Sequence, residues 1–420
     1  MKRNAKKIQQ GSIYFLSTFL VIASNYAFHL ISARYLDTIN YGVLSGLFAF
    51  FGIVAFASIS LQTKATEATA RLMSRGQYEK CQKLQKDWLK KTFLYSGLWV
   101  LLCFGAISFM VQFFHATYLT MLLFLPVYLI TLPHSMVRGF MQGYQSFTHL
   151  SGGFVLESLL KCLLAFLALQ AGFDLNGVII CLTVSQIPSF IWAIWVVFAP
   201  STETIRLANV PKATELKKNK TFELKSSFWV MLCYFILYSS WFNLDMMLVQ
   251  NLQPKVSGAY SVASKLGQII LFAGSNVANF LFPTLIEKIE QRESTTRINV
   301  IAFGLIIFGS LFGIFLLYLG KSFFVTTLFG EGYAQAEDWL LFFGAYGLIV
   351  GLIHYLVQWE LALAKKNFIW ILCVCSIGMF LHFYLILPSG LIPAFWVLIG
   401  WGTLMVLSLM IKIYADTKNK

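Results

Sequence analysis

Residues 11–62 read GSIYFLSTFLVIASNYAFHLISARYLDTINYGVLSGLFAFFGIVAFASISLQ. Two apolar runs, 11–33 and 42–62, flank one short polar turn, Arg34-Tyr35-Leu36-Asp37-Thr38-Ile39-Asn40-Tyr41. A helix rises 1.5 Å per residue, so roughly 20 apolar residues cross the hydrocarbon of a bilayer. Both runs reach that length. Neither shows the alternation of a barrel strand, and only a helix satisfies its own backbone groups in lipid. The stretch therefore reads as a hairpin of two membrane-spanning helices. The first run is too long for a signal core and no small-residue cleavage site follows it, so it is read as a retained first span.

The pattern repeats outward from this hairpin. Further apolar runs fall at 93–114, 118–136, 150–171 and 175–198, and after a polar gap at 228–249, 258–282, 299–319, 339–358, 368–387 and 391–411. The chain is 58% hydrophobic and 12% charged, with a mean hydropathy of +0.71. A soluble domain carries roughly 25% charged residues, so lipid must supply much of the solvent. The reading is an all-α polytopic membrane protein of about twelve transmembrane helices. It divides into an N-terminal six-helix bundle (1–199), a basic linker (200–227) and a C-terminal six-helix bundle (228–420).

Charge tests that count. With the N-terminus cytoplasmic, the inner segments hold 27 of the 32 Lys and Arg residues, and the outer ones only Arg34, Lys255 and Lys321. Lys161 and Lys265 fall inside spans. A missed or invented helix would make the basic loops change sides, and they do not. The expected location is the cell inner (cytoplasmic) membrane, multi-pass, with both termini cytoplasmic. The net charge of +14 needs no nucleic acid, because basic loops facing the headgroups of membrane lipids account for it. The seven cysteines include no CxxC pair, which argues against a disulfide framework and a zinc site. No cofactor is expected and no metal-ligand set stands out.

The two halves share a local signature. Tyr41-Gly42-Val43-Leu44-Ser45 follows the turn after span one, and Ser257-Gly258-Ala259-Tyr260-Ser261 follows the turn after span seven. Each is a short turn, then Gly with an aromatic residue, then a helix start of small residues. Both halves begin on the same side, so the duplication is a parallel one.

Several segments resemble the multidrug/oligosaccharidyl-lipid/polysaccharide exporter superfamily, and within it the Wzx-like polysaccharide flippases. They are Ala33-Arg34-Tyr35-Leu36 with Tyr41-Gly42, Arg138-Gly139-Phe140-Met141-Gln142-Gly143 followed by Glu157 and Lys161, and Asp245 in span seven. Ser257-Gly258-Ala259-Tyr260, Ser264-Lys265-Leu266, Leu281-Phe282-Pro283 and Leu328-Phe329-Gly330-Glu331-Gly332-Tyr333 complete the series, in the family's order over nearly the whole chain. The resemblance implies two pseudo-symmetric six-helix bundles around a central cavity that opens alternately to either side. It also implies a lipid-linked glycan as cargo, an oligosaccharide or repeat unit on undecaprenyl diphosphate. A polysaccharide polymerase is a partner that the resemblance leaves open.

A charge at mid-bilayer costs roughly 2.5–3.5 kcal/mol, so each one inside a span needs a reason. Glu157 and Lys161 are four apart in span five; they read either as a mutual ion pair or as cavity residues. Lys265 in span eight has no acid within a turn. It reads either as the partner of Asp245 or as a cation lining the cavity. Arg34 is a snorkelling residue or, since guanidinium matches phosphate bidentately, a phosphate clamp. The substrate-binding set is thus Lys265, Lys161 and Arg34, with Asp245 and Glu157 as ion-pair or coupling residues. Arg138 reads as a topology determinant, Trp241 and Tyr238 as aromatic rings that could stack on sugars, and Gly309-x-x-x-Gly313 and Gly347-x-x-x-Gly351 as close packing sites. Two rival functions remain open at this point. A cation-coupled small-molecule exporter would want an acid-rich cavity. A membrane polymerase or ligase would want catalytic groups on a large outer loop, and no GxSxG, HExxH or P-loop pattern is present. The protein is read as a non-enzyme, with no catalytic residue assigned.

Overall fold

The computed structural model describes residues 2–199, 228–291, 293–363 and 367–418. All regular structure among them is helical. The linker expected at 200–227 and the basic pair Lys365 and Lys366 lie outside the described residues. The first helices are α1 (Lys2–Tyr35), α2 (Thr38–Ser74), α3 (Tyr78–Gly105), α4 (Ile107–Phe114), α5 (Tyr118–Phe124), α6 (Pro126–Gly143), α7 (Phe147–Gln170) and α8 (Leu175–Phe198). Beyond the linker come α9 (Phe228–Ser240), α10 (Leu244–Leu252), α11 (Ser257–Glu290), α12 (Thr296–Leu319), α13 (Leu340–Ala362), α14 (Phe368–Ile386) and α15 (Leu391–Lys418).

Among the described residues nine helices are long and apolar enough to cross a bilayer, or eleven if each of two bent pairs is one span. The sequence reading expects about twelve. The run at 258–282 is the one outside this set. The single 34-residue helix α11 covers it and carries Lys265, Gln268 and Ser275 among its apolar residues.

Two runs read as straight spans are broken. α3 and α4 meet at 68°, and α9 and α10 at 46°. Hydropathy cannot see either break, because apolar residues continue through both. A broken helix frees carbonyls that lipid cannot satisfy, and at 241–243 side chains take over. Tyr346 donates to the Trp241 carbonyl, Gln268 Nε2 to the Phe242 carbonyl at 3.2 Å, and Asn243 Nδ2 to the Ser239 carbonyl at 3.0 Å. α2 also outruns its expected end by about three turns. Glu67 bridges Lys64 at 3.2 Å and Arg71 at 2.7 Å along that extension, pairs spaced to support a helix outside hydrocarbon.

The described residues fall into two compact units. Met1–Leu36 with Val54–Phe222 form one, and Asp37–Ile53 with Glu223–Lys420 form the other. The first stretch of α2 therefore packs within the second unit, and small residues are the reason. A Cβ on Gly42 would lie 2.0 Å from Ser257 Oγ, and one on Gly258 would lie 2.2 Å from the Thr38 carbonyl oxygen. Ser261 donates to Ser45 Oγ at 2.7 Å, and Tyr41 meets Tyr333 edge-on. The two copies of the local signature seen in the sequence thus face one another, glycine against backbone.

Elsewhere in the second unit α11 crosses α13 at glycines. A Cβ on Gly347 would lie 2.6 Å from the Gly267 carbonyl oxygen, and Gly351 lies against Gly274. The other GxxxG pattern does not act this way. Gly309 has no atom within 4 Å of its Cβ position, and Gly313 meets Ile270 at an ordinary 3.4 Å. That helix presents Leu305, Phe308 and Phe312 outward, as a lipid-facing surface does.

Candidate functional site

In the first unit α7 carries Glu157 and Lys161 on one face, but their bonds diverge. Arg138 on α6 donates to Glu157 Oε2 and lies 4.2 Å above the Phe154 ring. His134, one turn earlier on α6, places Nδ1 3.7 Å from the same oxygen and Nε2 3.3 Å from Ser189 Oγ. Lys161 turns to α1 instead, where it donates to Asn25 Oδ1 and sits 5.2 Å over the Phe28 ring. The structure joins Glu157 to α6 through Arg138 while Lys161 shares its face of α7. Arg138, read as a topology determinant, is half of that ion pair.

Arg34 is an exposed residue in the last turn of α1. It stands nine positions beyond Asn25, roughly 13 Å along the helix at 1.5 Å per residue. Lys161 and Arg34 are thus at different levels of the first unit, and Lys265 belongs to the second.

In the second unit the break between α9 and α10 puts Asp245 in the first turn of α10, where the helix dipole favours negative charge. Its side chain is buried, at 1% exposure. Tyr260 on α11 donates to Oδ2 at 2.7 Å, and Oδ1 has no partner among the described residues. Asp245, Ser264, Gln268 and Tyr346 line a small cavity with about 10 Å³ of free space, the size of one water site. Lys265, half-buried on α11, donates to Gln268 Oε1 at 3.3 Å. Gln268 in turn holds the Phe242 carbonyl at the break. The carboxylate is therefore engaged by Tyr260, the ammonium by Gln268, and both sit beside the same break.

The two ionic spans share one arrangement. Each intramembrane lysine donates to a side-chain amide, Asn25 or Gln268, and the acid nearest to it also takes a bond from Arg138 or Tyr260. Sequence spacing suggests acid–base pairs; it does not single out Asn25, His134, Tyr260 or Gln268. The one signal it offers is Tyr260 inside the Ser257-Gly258-Ala259-Tyr260 motif, with Gln268 a turn after Lys265.

Other candidates are placed elsewhere. Trp241 is fully buried and spends its indole N–H on Ser376 Oγ at 2.7 Å. Tyr238 is hydrogen-bonded to Ser275. His354 meets the Tyr234 hydroxyl at 2.9 Å, and buried Glu360 pairs with Lys412. Among the described residues no group of three or more His, Cys, Asp or Glu side chains is placed to hold a metal ion.

The architecture is that of the MOP-superfamily transporters. An inward-facing multidrug resistance MATE family transporter of that superfamily is 12% identical and superposes with a TM-score of 0.71, over 94% of this chain and 95% of that one. The lipid II flippase MurJ in an inward closed conformation is 13% identical, with a TM-score of 0.69 over 97% and 87%. A MOP superfamily transporter from Pyrococcus furiosus Vc1, described as having a binding pocket of reversed polarity, is 13% identical, with a TM-score of 0.58 over 98% and 97%. No curated protein sequence matches the chain. By sequence, however, residues 8–289, well over half of its length, match one family model, so the chain belongs to the polysaccharide biosynthesis protein family.

Proposed function

We propose that this protein is a flippase that carries a lipid-linked saccharide, an oligosaccharide or repeat unit on undecaprenyl diphosphate, across the cytoplasmic membrane by alternating access. One observation carries the reading: both lysines inside spans, Lys161 and Lys265, donate to neutral amide oxygens. An ammonium has three donors, and an amide leaves its positive charge in place. A diphosphate entering the cavity brings charge-assisted acceptors that a neutral amide does not match.

In this mechanism Lys161, Lys265 and Arg34 are the cations that meet the diphosphate at successive stages of the cycle, and the prenyl tail stays in lipid. Asp245 and Glu157, which also take bonds from Tyr260 and Arg138, hold those cations apart in the empty state. Asp245, with one free oxygen beside a cavity of water size, is also placed to take a coupling cation or proton. Moving one charge across 100 mV is worth about 2.3 kcal/mol, enough to bias direction. Both termini lie on the cytoplasmic side, and a polysaccharide polymerase receives the cargo on the other.

The test is reconstitution. Proteoliposomes carrying the full chain are loaded with a fluorescent lipid-diphosphate oligosaccharide, and a membrane-impermeant quencher reports the fraction exposed. Protein-dependent exchange, lost in Lys161→Gln and in Lys265→Gln, supports the proposal. Exchange no faster than in protein-free liposomes refutes it.

A further inference from the structure

Helix α11 is packed on one side and open on the other. Gly267 and Gly274 form the packed side: a Cβ on Gly267 would lie 2.7 Å from the Phe343 carbonyl oxygen, and one on Gly274 would lie 3.4 Å from the Gly351 Cα. About half a turn away run Lys265, Ile269, Phe272, Ala273, Asn276 and Phe280, none of them buried. At 100° per residue these six fall within one stripe about 100° wide. The stripe differs from a lipid-facing one. Between Val300 and Leu316 the exposed residues of α12 are apolar or glycine, whereas the α11 stripe carries the Lys265 ammonium and the Asn276 amide. Asn276 stands six residues inside the far end of the 258–282 run, roughly 9 Å deep at 1.5 Å per residue. Among the described residues its side-chain amide makes no hydrogen bond. Hydrocarbon accepts neither an unpaired amide nor an ammonium, so the stripe lines a wet path.

An aromatic ring on a wet path needs its own reason. Phe280 is 81% exposed, and its ring meets no other aromatic ring among the described residues. It stands one turn beyond Asn276, so an open ring face and an open amide lie side by side. A saccharide fits that pair. Its hydroxyls give and take hydrogen bonds, as the amide does, and the C–H face of a pyranose lies flat on an aromatic ring. Lys265, at the other end of the stripe, matches the diphosphate. Phe280 is fifteen residues on from Lys265, roughly 22 Å along the helix, a reach that suits an oligosaccharide and exceeds a diphosphate. The rings that the sequence offers for stacking on sugars do not compete, because Trp241 is fully buried and Tyr238 is 5% exposed.

We propose that Asn276 and Phe280 form the saccharide subsite of the cargo path, Asn276 bonding sugar hydroxyls and Phe280 stacking on a pyranose ring, and that they select for the glycan rather than its lipid. The proposal rests on the flippase reading. The experiment measures equilibrium binding to the purified full-length protein in mild detergent, with two probes: the lipid-linked glycan extracted from the producing cells, and undecaprenyl diphosphate without sugar. Wild type is expected to bind the glycan-bearing lipid about tenfold more tightly, as one stacked ring and one amide hydrogen bond supply. Asn276→Ala and Phe280→Ala each cut that preference to about threefold, and together they abolish it, with undecaprenyl diphosphate binding unchanged. Phe280→Trp keeps the preference, and Phe308→Ala on the lipid-facing α12 leaves both affinities as they are. Equal affinity for the two probes in wild type overturns this inference and leaves the flippase reading standing. A preference unchanged in the double variant overturns it too. So does an equal loss of both probes in Phe280→Ala, which would make Phe280 a prenyl contact. Binding of neither probe by wild type overturns the flippase reading together with this one.

Discussion

The Tyr260 hydroxyl donates to Asp245 Oδ2 at 2.7 Å, and this bond ties α11 to the broken span beside Lys265. A buried carboxylate that loses a donor keeps the full desolvation cost of the freed oxygen, about 1–3 kcal/mol. Tyr260→Phe is therefore expected to lower the melting temperature of the purified protein. Asp245→Asn should cost less in the Tyr260→Phe background than in wild type, since the two groups act on one another. Additive effects in the double variant would place the stabilisation elsewhere.

Arg138 and Glu157 make the corresponding test in the first unit. Their pair is partly buried, and removing one partner of a buried pair costs about 3–5 kcal/mol at full burial. Arg138→Ala should cut membrane abundance sharply, and Glu157→Gln in the same chain should recover most of it. Quantitative immunoblotting of membranes reads both. Equal loss in the single and double variants would show that Arg138 acts through its packing on Phe154 rather than through charge.

The glycine crossing gives a purely steric prediction. Gly347→Ala puts a methyl 2.6 Å from the backbone oxygen of Gly267, where no side chain can move aside, so abundance and melting temperature should both fall. Gly309→Ala, with open space around it, should leave them unchanged. The contrast between two GxxxG motifs in one unit is the measurement.

What was legible in the sequence was what lipid dictates. The apolar runs, the basic loops and the repeated turn at Tyr41-Gly42 and Ser257-Gly258 all follow from hydrocarbon length and backbone sterics. The breaks at Ala106 and at Trp241–Asn243 were not legible, because residues apolar on both sides give hydropathy nothing to register. Pairing was legible only within one helix. Spacing alone puts Glu67 beside Arg71, and the structure pairs them at 2.7 Å, but Glu157 has a helical neighbour and an interhelical one at similar reach, and spacing says nothing of Arg138. Gly42 and Gly258 suggested a duplication; that the two copies face each other depends on how α2 meets α11.

That contact yields a reversible test of motion. Ser45 and Ser261 have their hydroxyl oxygens 2.7 Å apart, a separation that thiols at the same positions can close to a disulfide. A Ser45→Cys, Ser261→Cys pair should cross-link under mild oxidant and, if α2 and α11 must part during the cycle, stop transport until reductant is added. Cross-linked protein that transports at the wild-type rate would show that this contact stays closed throughout.

The central claim concerns which face of the membrane the glycan reaches. The direct measurement is made in the cells that produce the protein: deplete it, then label the lipid-linked glycan with a membrane-impermeant reagent. The account predicts that glycan builds up shielded on the cytoplasmic face, and that wild type releases it while Lys265→Gln, present at equal abundance, does not. Glycan that still reaches the outer face but is left unpolymerised would contradict a flippase and point to a later, enzymatic step.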